Sequence, residues 1–368
     1  MIKIGIVCYP TFGGSGVVAT ELGLALSKKN FQVHFISYKK PVRLKSLSNN
    51  IFFHKVDVPN YPLFEFPPYE LALTTKIVQL VESNTIQVLH VHYAIPHAYA
   101  AVSAQKILLS KGFSIPIITT LHGTDITLLG KRPSVRSVIN YAINESDLVT
   151  TVSNDLRKET IKNFDINKNI QVIPNFIDFN LLNLNKNKKL SSQKVITHIS
   201  NFRPVKRVLD VINIFKHVNN EIDSKLFMIG DGPDKDAAEK LVNEYNLSNK
   251  VVFFGKSNDI EKVLLKTDLF LLPSNSESFG LVALEAMAYS IPIITTNKGG
   301  IIEVVDHEKN GFTIPVGDTN LMAQKAIDIL SDSNMYRKFS QHAFNKSKQY
   351  DIEKILPLYE SRYISLLD

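Results

Sequence analysis

Cysteine occurs once among the 368 residues, as Cys8, and tryptophan does not occur at all. A single cysteine excludes an intramolecular disulfide and any zinc site built on several thiolates. No apolar run approaches the roughly 18 residues that a membrane-crossing helix needs. The opening MIKIGIVCYPTFGG holds an apolar run of strand size, without the apolar core and cleavage site of a secretory signal, so a cytoplasmic location is expected. Without tryptophan, and without a helix pairing a Lys/Arg face with exposed aromatics, a membrane-surface protein is not expected. No short repeat is visible, which excludes solenoids. Charge of one sign is only modestly in excess: 42 Lys+Arg against 35 Asp+Glu gives +7. The densest basic stretches, Lys39–Lys45 and Asn185–Lys189, carry no interleaved aromatics for base stacking, so nucleic acid is not an expected partner. An anionic small ligand and a merely solvated surface both fit that charge.

What is present is a globular composition, 44% hydrophobic and 21% charged, in a chain long enough for two domains. Strand-sized β-branched runs alternate with helix-sized amphipathic ones. Strands are expected at 2–7, 32–37, 86–92, 115–121, 147–153 and 170–175. The intervening segment 17–30 has Val18, Leu22, Ala25 and Leu26 on one helical face. A polar stretch, 180–194, reads as a linker or surface loop. The alternation then restarts, with strands expected at 195–200, 225–230, 250–255, 268–273 and 292–296. Helices are expected at 205–218 and at about 234–245, 258–266, 279–289 and 318–331. The fold class is therefore α/β, with two doubly wound parallel-sheet domains, 1–175 and 176–350, and a ligand at the carboxyl ends of the strands. Two helical segments, about 333–348 and 351–367, end the chain. The last has apolar residues at 352, 355, 356 and 359, and Pro357 predicts a kink or break within it.

Two constellations carry chemistry. The loop Cys8–Gly16 holds Gly13, Gly14, Ser15 and Gly16 after the first strand. Its free N–H groups and the following helix N-terminus suit a phosphate or carboxylate, although a plain tight turn would look similar. Gly14, Gly16 and Ala19 also satisfy G-x-G-x-x-A. However, the place where a ribose-binding acid would follow the second strand reads Ser37-Tyr38-Lys39-Lys40. An NADP oxidoreductase using those lysines is thus a rival reading. In the second constellation, Glu277 and Glu285 flank a helix start at which Phe279, Gly280 and Leu281 offer amides to an anion. A Ser276 or Ser278 N-cap with Glu285 on a solvated face is the plain alternative.

The run Glu277-Ser278-Phe279-Gly280-Leu281-Val282-Ala283-Leu284-Glu285 resembles the E-S-F-G-L-x-x-x-E segment of the family-4 retaining glycosyltransferases of the GT-B fold. Gly13–Gly16, Asn201-Phe202-Arg203-Pro204-Val205-Lys206, Gly230-Asp231-Gly232-Pro233 and Gly299-Gly300-Ile301-Ile302-Glu303 are similar to further motifs of that family, in family order. The resemblance implies two Rossmann-like domains, a C-terminal helix that crosses back to the N-terminal domain, and closure of the domains on a nucleotide-sugar donor. The segments 4–10, 90–97, 121–127 and 200–203 narrow it to members that join UDP-GlcNAc to L-malate. These two small molecules are the expected partners, with no cofactor and no metal. A homodimer is compatible with the sequence, and a lipid or another hydroxy acid is the alternative acceptor.

The resemblance also implies residue roles. Lys206 and Arg203, with Asn201 as a donor, would neutralise the diphosphate as it leaves. Asn201 departs from the arginine that many members carry there. Glu285 would accept the ribose hydroxyls, and Glu277 a hydroxyl of the donor sugar. Gly14, Ser15, Gly16, Phe279, Gly280 and Leu281 would contact sugar and phosphates, and Gly255-Lys256 would hold the uracil. His122, in Leu121-His122-Gly123-Thr124-Asp125, would position the reacting carbon. His122, Lys206 and Glu277 are thus the candidate catalytic residues. Ser15, Gly16, Arg43, Tyr93, Thr120 and His122 are the acceptor candidates, with Arg132, Arg136 and Asn140 undecided beside them. Asp234-Lys235-Asp236 is the only D-x-D. It sits at a helix start, where acids suit the dipole, so no metal site is expected there.

Overall fold

The computed structural model describes residues 1–11, 13–59, 63, 65–183, 193–257 and 260–368. Most of the expected 180–194 linker, the basic stretch Asn185–Lys189, Phe12 of the glycine loop and the first two positions of the expected 258–266 helix lie outside these residues. The chain divides into two units, Met1–Phe176 with Ile352–Asp368, and Ile177–Asp351.

The first unit holds seven strands: β1 Ile2–Val7, β2 Phe31–Ser37, β3 Ile51–Lys55, β4 Val88–His92, β5 Ile117–Leu121, β6 Leu148–Thr151 and β7 Ile170–Val172. They pair in parallel in the order β3-β2-β1-β4-β5-β6-β7. Helices α1 Gly14–Leu26, α2 Tyr69–Glu82, α3 Tyr99–Ser110, α4 Pro133–Glu145 and α5 Asn154–Asn163 connect them. The central strands are continuous apolar runs because helices cover both faces. Ile4, Ile6, Val88, Leu89, Ile117 and Ile118 are all fully buried.

The second unit repeats the plan with β8 Lys194–Ile199, β9 Ser224–Ile229, β10 Val251–Gly255, β11 Leu269–Leu272, β12 Ile293–Thr296 and β13 Gly311–Ile314. Their order is β10-β9-β8-β11-β12-β13, again all parallel. The helices are α6 Val208–Glu221, α7 Lys235–Glu244, α8 Ile260–Leu264, α9 Leu281–Ala288, α10 Ile301–Val304, α11 Thr319–Ser331 and α12 Ser333–Ser347.

In each sheet the strand order reverses once, between β1 and β4 and between β8 and β11. At such a point, neighbouring connections run to opposite faces and leave a crevice beyond the strand ends. The loops that open there follow β1, β4, β8 and β11.

The final helix, α13 Ile352–Ser365, belongs to the first unit and buries Ile352, Ile355, Leu356, Tyr359 and Tyr363. It runs unbroken through Pro357. The expected break is absent because the proline forfeits one backbone hydrogen bond, while five buried side chains hold the helix in place. A second correction concerns 205–218. Pro204–Lys206 is a 3₁₀ turn, Arg207 takes a left-handed conformation with φ 51°, and α6 starts only at Val208. Periodicity also missed β3 and β13, which are short and lie at sheet edges, where patterning is weakest.

Candidate functional site

The switch point of the first unit is lined by the glycine loop and by residues after β4 and β5. Gly13 is the N-cap of α1, and Gly14, Ser15 and Gly16 form its first turn; the Gly16 amide donates to the Gly13 carbonyl at 3.0 Å, whereas the amides of Gly14 and Ser15 precede any intrahelical acceptor. Gly16 must be glycine: a Cβ there would lie 2.5 Å from the Tyr9 carbonyl oxygen and 2.7 Å from that of Thr11. The loop is tied across the switch point by Tyr93, whose hydroxyl donates to Ser15 Oγ at 2.8 Å. The rings of Tyr9 and Tyr93 meet edge to face at 5.5 Å.

Asp125 fastens the β4 and β5 loops to one another. Its carboxylate accepts from the amides of Ala94 (2.8 Å) and Gly123 (3.2 Å). Burial pushes its pKa up to about 6, against the pull of those amides.

Histidines fill the ground beneath. His92 Nδ1 lies 2.7 Å from His122 Nε2, and the two rings stack at 5.0 Å. His90 stacks on His92 at 4.4 Å. Its Nδ1 is 2.7 Å from the Tyr363 hydroxyl on α13, and its Nε2 is 2.7 Å from Thr120 Oγ1. Burial pushes His122 and His90 down to about 3 and His97 to about 4, while His92 falls well below its usual value. All four are neutral at pH 7, so His122 is a hydrogen-bonding group and a poor base. Cys8 is fully buried and its thiol is pushed up to about 12, so it offers no thiolate nucleophile.

These values set a pH dependence. The unfolded histidines gain protons below about 6.5, whereas the buried ones resist down to about 3–4. The unfolded state then binds more protons, and stability falls with falling pH across that window. Asp125, with its raised pKa, works the other way between 3.8 and about 6. With several histidines against one aspartate, urea midpoints should drop from pH 7 to pH 5. Equal midpoints at the two pH values would contradict the neutral cluster.

Two acceptor candidates have other engagements. Thr120 is fully buried, with its hydroxyl shared between His90 and, at 2.7 Å, Thr150. It is an internal bridge between strands, and the structure does not bring it to a ligand surface. Arg43 forms an ion pair with Glu21 of α1. Arg136 faces Asp165 at 3.9 Å, and Asn140 donates to the same carboxylate at 3.2 Å.

In the second unit the loops after β8 and β11 meet in the same fashion. The amide of Asn275 donates to the Val205 carbonyl at 2.8 Å. Lys206 Nζ then lies 2.6 Å from Glu277 Oε1, which also accepts from Ser274 Oγ at 2.7 Å. Both partners are largely buried, at 20% and 11% side-chain exposure, so the pair is weakly screened. Arg207 reaches Asp210 at 2.6 Å and Asn275 at 3.2 Å, whereas Asn201 and Arg203 are exposed. His198 Nδ1 donates to the Leu271 carbonyl at 2.9 Å and its Nε2 meets Ser200 Oγ at 2.7 Å, which braces the start of this loop.

Gly280 caps α9 at φ 88°, and a Cβ there would lie 2.2 Å from Ile301 Cδ1. α9 starts at Leu281, and the amides of Ala283 and Leu284 donate back to the Gly280 carbonyl at 2.9 and 3.1 Å. Phe279 is buried edge to face on Tyr350 at 5.5 Å, which fixes the turn from below. Glu285 stands one turn into α9, half-buried. Gly255 takes φ 65° at the end of β10, and Lys256 pairs with Asp231 at 3.6 Å. Asp234 is the N-cap of α7, and among the described residues no group of three or more His, Cys, Asp or Glu could hold a metal.

Sequence reasoning singled out His122, Lys206 and Glu277. It missed His92 and Ser274, which bond to His122 and Glu277, and His90, Asp125 and His198, which brace the strands and loops around them. Alternating histidines in a strand were a visible signal, but their partners sit on other strands and on α13.

The Glycosyltransferase Family 4 model matches residues 12–181, and the model for Glycosyl transferases group 1 matches 180–346. The chain is 44% identical, over all of its length and 97% of the relative's, to an N-acetyl-alpha-D-glucosaminyl L-malate synthase of Bacillus anthracis. It is 28% identical, over 98% of its length, to an uncharacterized glycosyltransferase of Methanocaldococcus jannaschii. Among solved structures, it is similar to Anabaena HepE in complex with UDP and glucose, with TM-score 0.82, 19% identity and 99% of this chain covered. It is also similar to sucrose-phosphate synthase of Thermosynechococcus elongatus, with TM-score 0.80 and 19% identity over the whole chain. The two-unit fold is that of these GT-B neighbours.

Proposed function

We propose, for a chain that belongs to the family 4 glycosyltransferases, that it transfers N-acetylglucosamine from UDP-GlcNAc to the hydroxyl of L-malate with retention at the anomeric carbon. The products are N-acetyl-α-D-glucosaminyl L-malate, the first intermediate of bacillithiol biosynthesis, and UDP. The observation that carries this reading is the full-length 44% identity to a relative whose name states that product. The Lys206–Glu277 pair at the mouth of α9 supports the chemistry.

In this reading the sugar C1–phosphate oxygen bond breaks and the pair of electrons leaves with UDP. The malate hydroxyl oxygen bonds to C1 on the same face, and its proton passes to the departing phosphate oxygen. Lys206 and the first amides of α9 stabilise the charge that grows on the diphosphate, with Arg203 and Asn201 at the rim. Glu285 accepts the ribose hydroxyls, Glu277 a hydroxyl of the sugar, and Gly255-Lys256 hold the uracil. Ser15, Gly16 and Tyr93 serve the dicarboxylate acceptor, and His122 the reacting carbon. The purified protein should release UDP from UDP-GlcNAc with L-malate, giving the product mass expected for the glycoside. A panel of hydroxy acids in which malate gives no release would overturn the acceptor.

Because the charge is met by Lys206 and backbone amides, the reaction needs no metal in this reading. Activity should persist in EDTA. A loss restored by Mg²⁺ or Mn²⁺ would refute the arrangement.

A further inference from the structure

We propose that His92 is a positioning residue that fixes His122 in one tautomer, with the proton on Nδ1 and a bare, accepting Nε2.

The assignment follows from hydrogen-bond bookkeeping in a buried network. His97 Nδ1 lies 2.6 Å from the His92 carbonyl oxygen. A carbonyl only accepts, so His97 carries its proton on Nδ1. The His92 ring has one contact for two nitrogens: Nδ1 meets His122 Nε2 at 2.7 Å, and Nε2 is buried without a partner among the described residues. A neutral imidazole has one N–H to place. On Nε2 it would be a buried donor with no acceptor, the rarer and costlier defect. On Nδ1 it is satisfied by His122 Nε2. That nitrogen must then be unprotonated, and the single proton of neutral His122 is left on Nδ1. The depressed pKa values of both rings keep the pair from taking a second proton that would blur the choice.

The rings are held so that this choice persists. His90 stacks on His92 at 4.4 Å and is pinned at both nitrogens, by Tyr363 of α13 and by Thr120. The last helix of the chain therefore reaches His122 through two stacked imidazoles. In consequence His122 offers a ligand an N–H from Nδ1 and no lone pair there. It can donate to an oxygen of the sugar or acceptor, and it cannot take the acceptor's proton at that nitrogen. This last consequence rests on the transferase reading above; the tautomer itself does not.

The test is a two-bond ¹H–¹⁵N spectrum of the ¹⁵N-histidine-labelled full chain without substrates, with the His122 ring assigned by its loss in His122→Gln. His122 should show a protonated Nδ1 and an unprotonated Nε2. In His92→Phe, which removes the donor, the two His122 nitrogens should move toward averaged shifts. His92→Asn, whose amide N–H stands near the place of Nδ1, should restore the wild-type pattern. Turnover should follow: roughly tenfold to hundredfold lower kcat in His92→Phe, the scale of one lost strong hydrogen bond, with UDP affinity unchanged and partial recovery in His92→Asn. A protonated Nε2 on His122 in the wild type overturns the proposal, as does an unaltered His122 pattern in His92→Phe. If the phenylalanine variant does not fold, the wild-type spectrum alone still decides. If the tautomer is as stated but neither UDP-GlcNAc nor malate reacts, the transferase reading fails and the positioning role of His92 stands.

Discussion

Lys206→Ala should lower turnover by about 10²- to 10³-fold at saturating donor, the scale found when one preorganised donor to a developing charge is removed. Lys206 is held 2.6 Å from Glu277 with only 20% of its side chain exposed, so its charge acts in a poorly screened setting. The charge it meets is larger in the transition state than in the bound donor, so kcat should fall more than donor affinity. The substitution also leaves the Glu277 carboxylate with the Ser274 hydroxyl and without its cation, which costs stability on the order of 1–3 kcal/mol. Those two effects separate in the double variant Lys206→Met, Glu277→Gln, which removes both charges together. It should recover thermal stability and stay inactive. Turnover within about twofold of wild type in Lys206→Ala would make Lys206 a structural partner of Glu277 and nothing more.

Glu285→Ala should weaken UDP by roughly tenfold to hundredfold, corresponding to about 1.5–3 kcal/mol for hydrogen bonds to a charged group. Glu285 sits one turn into α9, the helix that begins four residues after Glu277. A carboxylate can accept from two adjacent hydroxyls at once, and Glu285→Gln should recover part of the affinity because one oxygen remains. Titration calorimetry with UDP alone reads this without any acceptor. An unchanged Kd would remove Glu285 from the nucleotide site.

The fold was legible because parallel strands buried on both faces read as plain apolar runs. Ten of the expected strands, such as 2–7 and 225–230, fall on strands within a residue or two at most ends. The edges were less legible: β3 and β13 are short, and β3 is only partly buried. The motif around Glu277 and Glu285 was visible because both residues belong to one continuous loop and helix. The ion pair with Lys206 was not, because 71 residues separate the partners. The internal hydrogen bonds of Thr120 were not legible for a related reason. A threonine at a strand end looks available in one dimension, and only the neighbouring strands reveal that His90 and Thr150 occupy its hydroxyl.

The sequence by itself determined the local chemistry of this protein: the β/α alternation, the glycines that admit φ > 0, and which side chains could carry charge near the helix starts. Each depends on residues close together in the chain, where spacing converts directly into geometry. The tertiary structure alone decided which loops meet. Strand order places the connections after β1 and β4, and after β8 and β11, side by side, and it lays α13 against the histidines of β4. Burial follows from that assembly, and with it the neutral state of His92 and His122. Desolvation depends on every atom packed around a group, most of them distant in sequence.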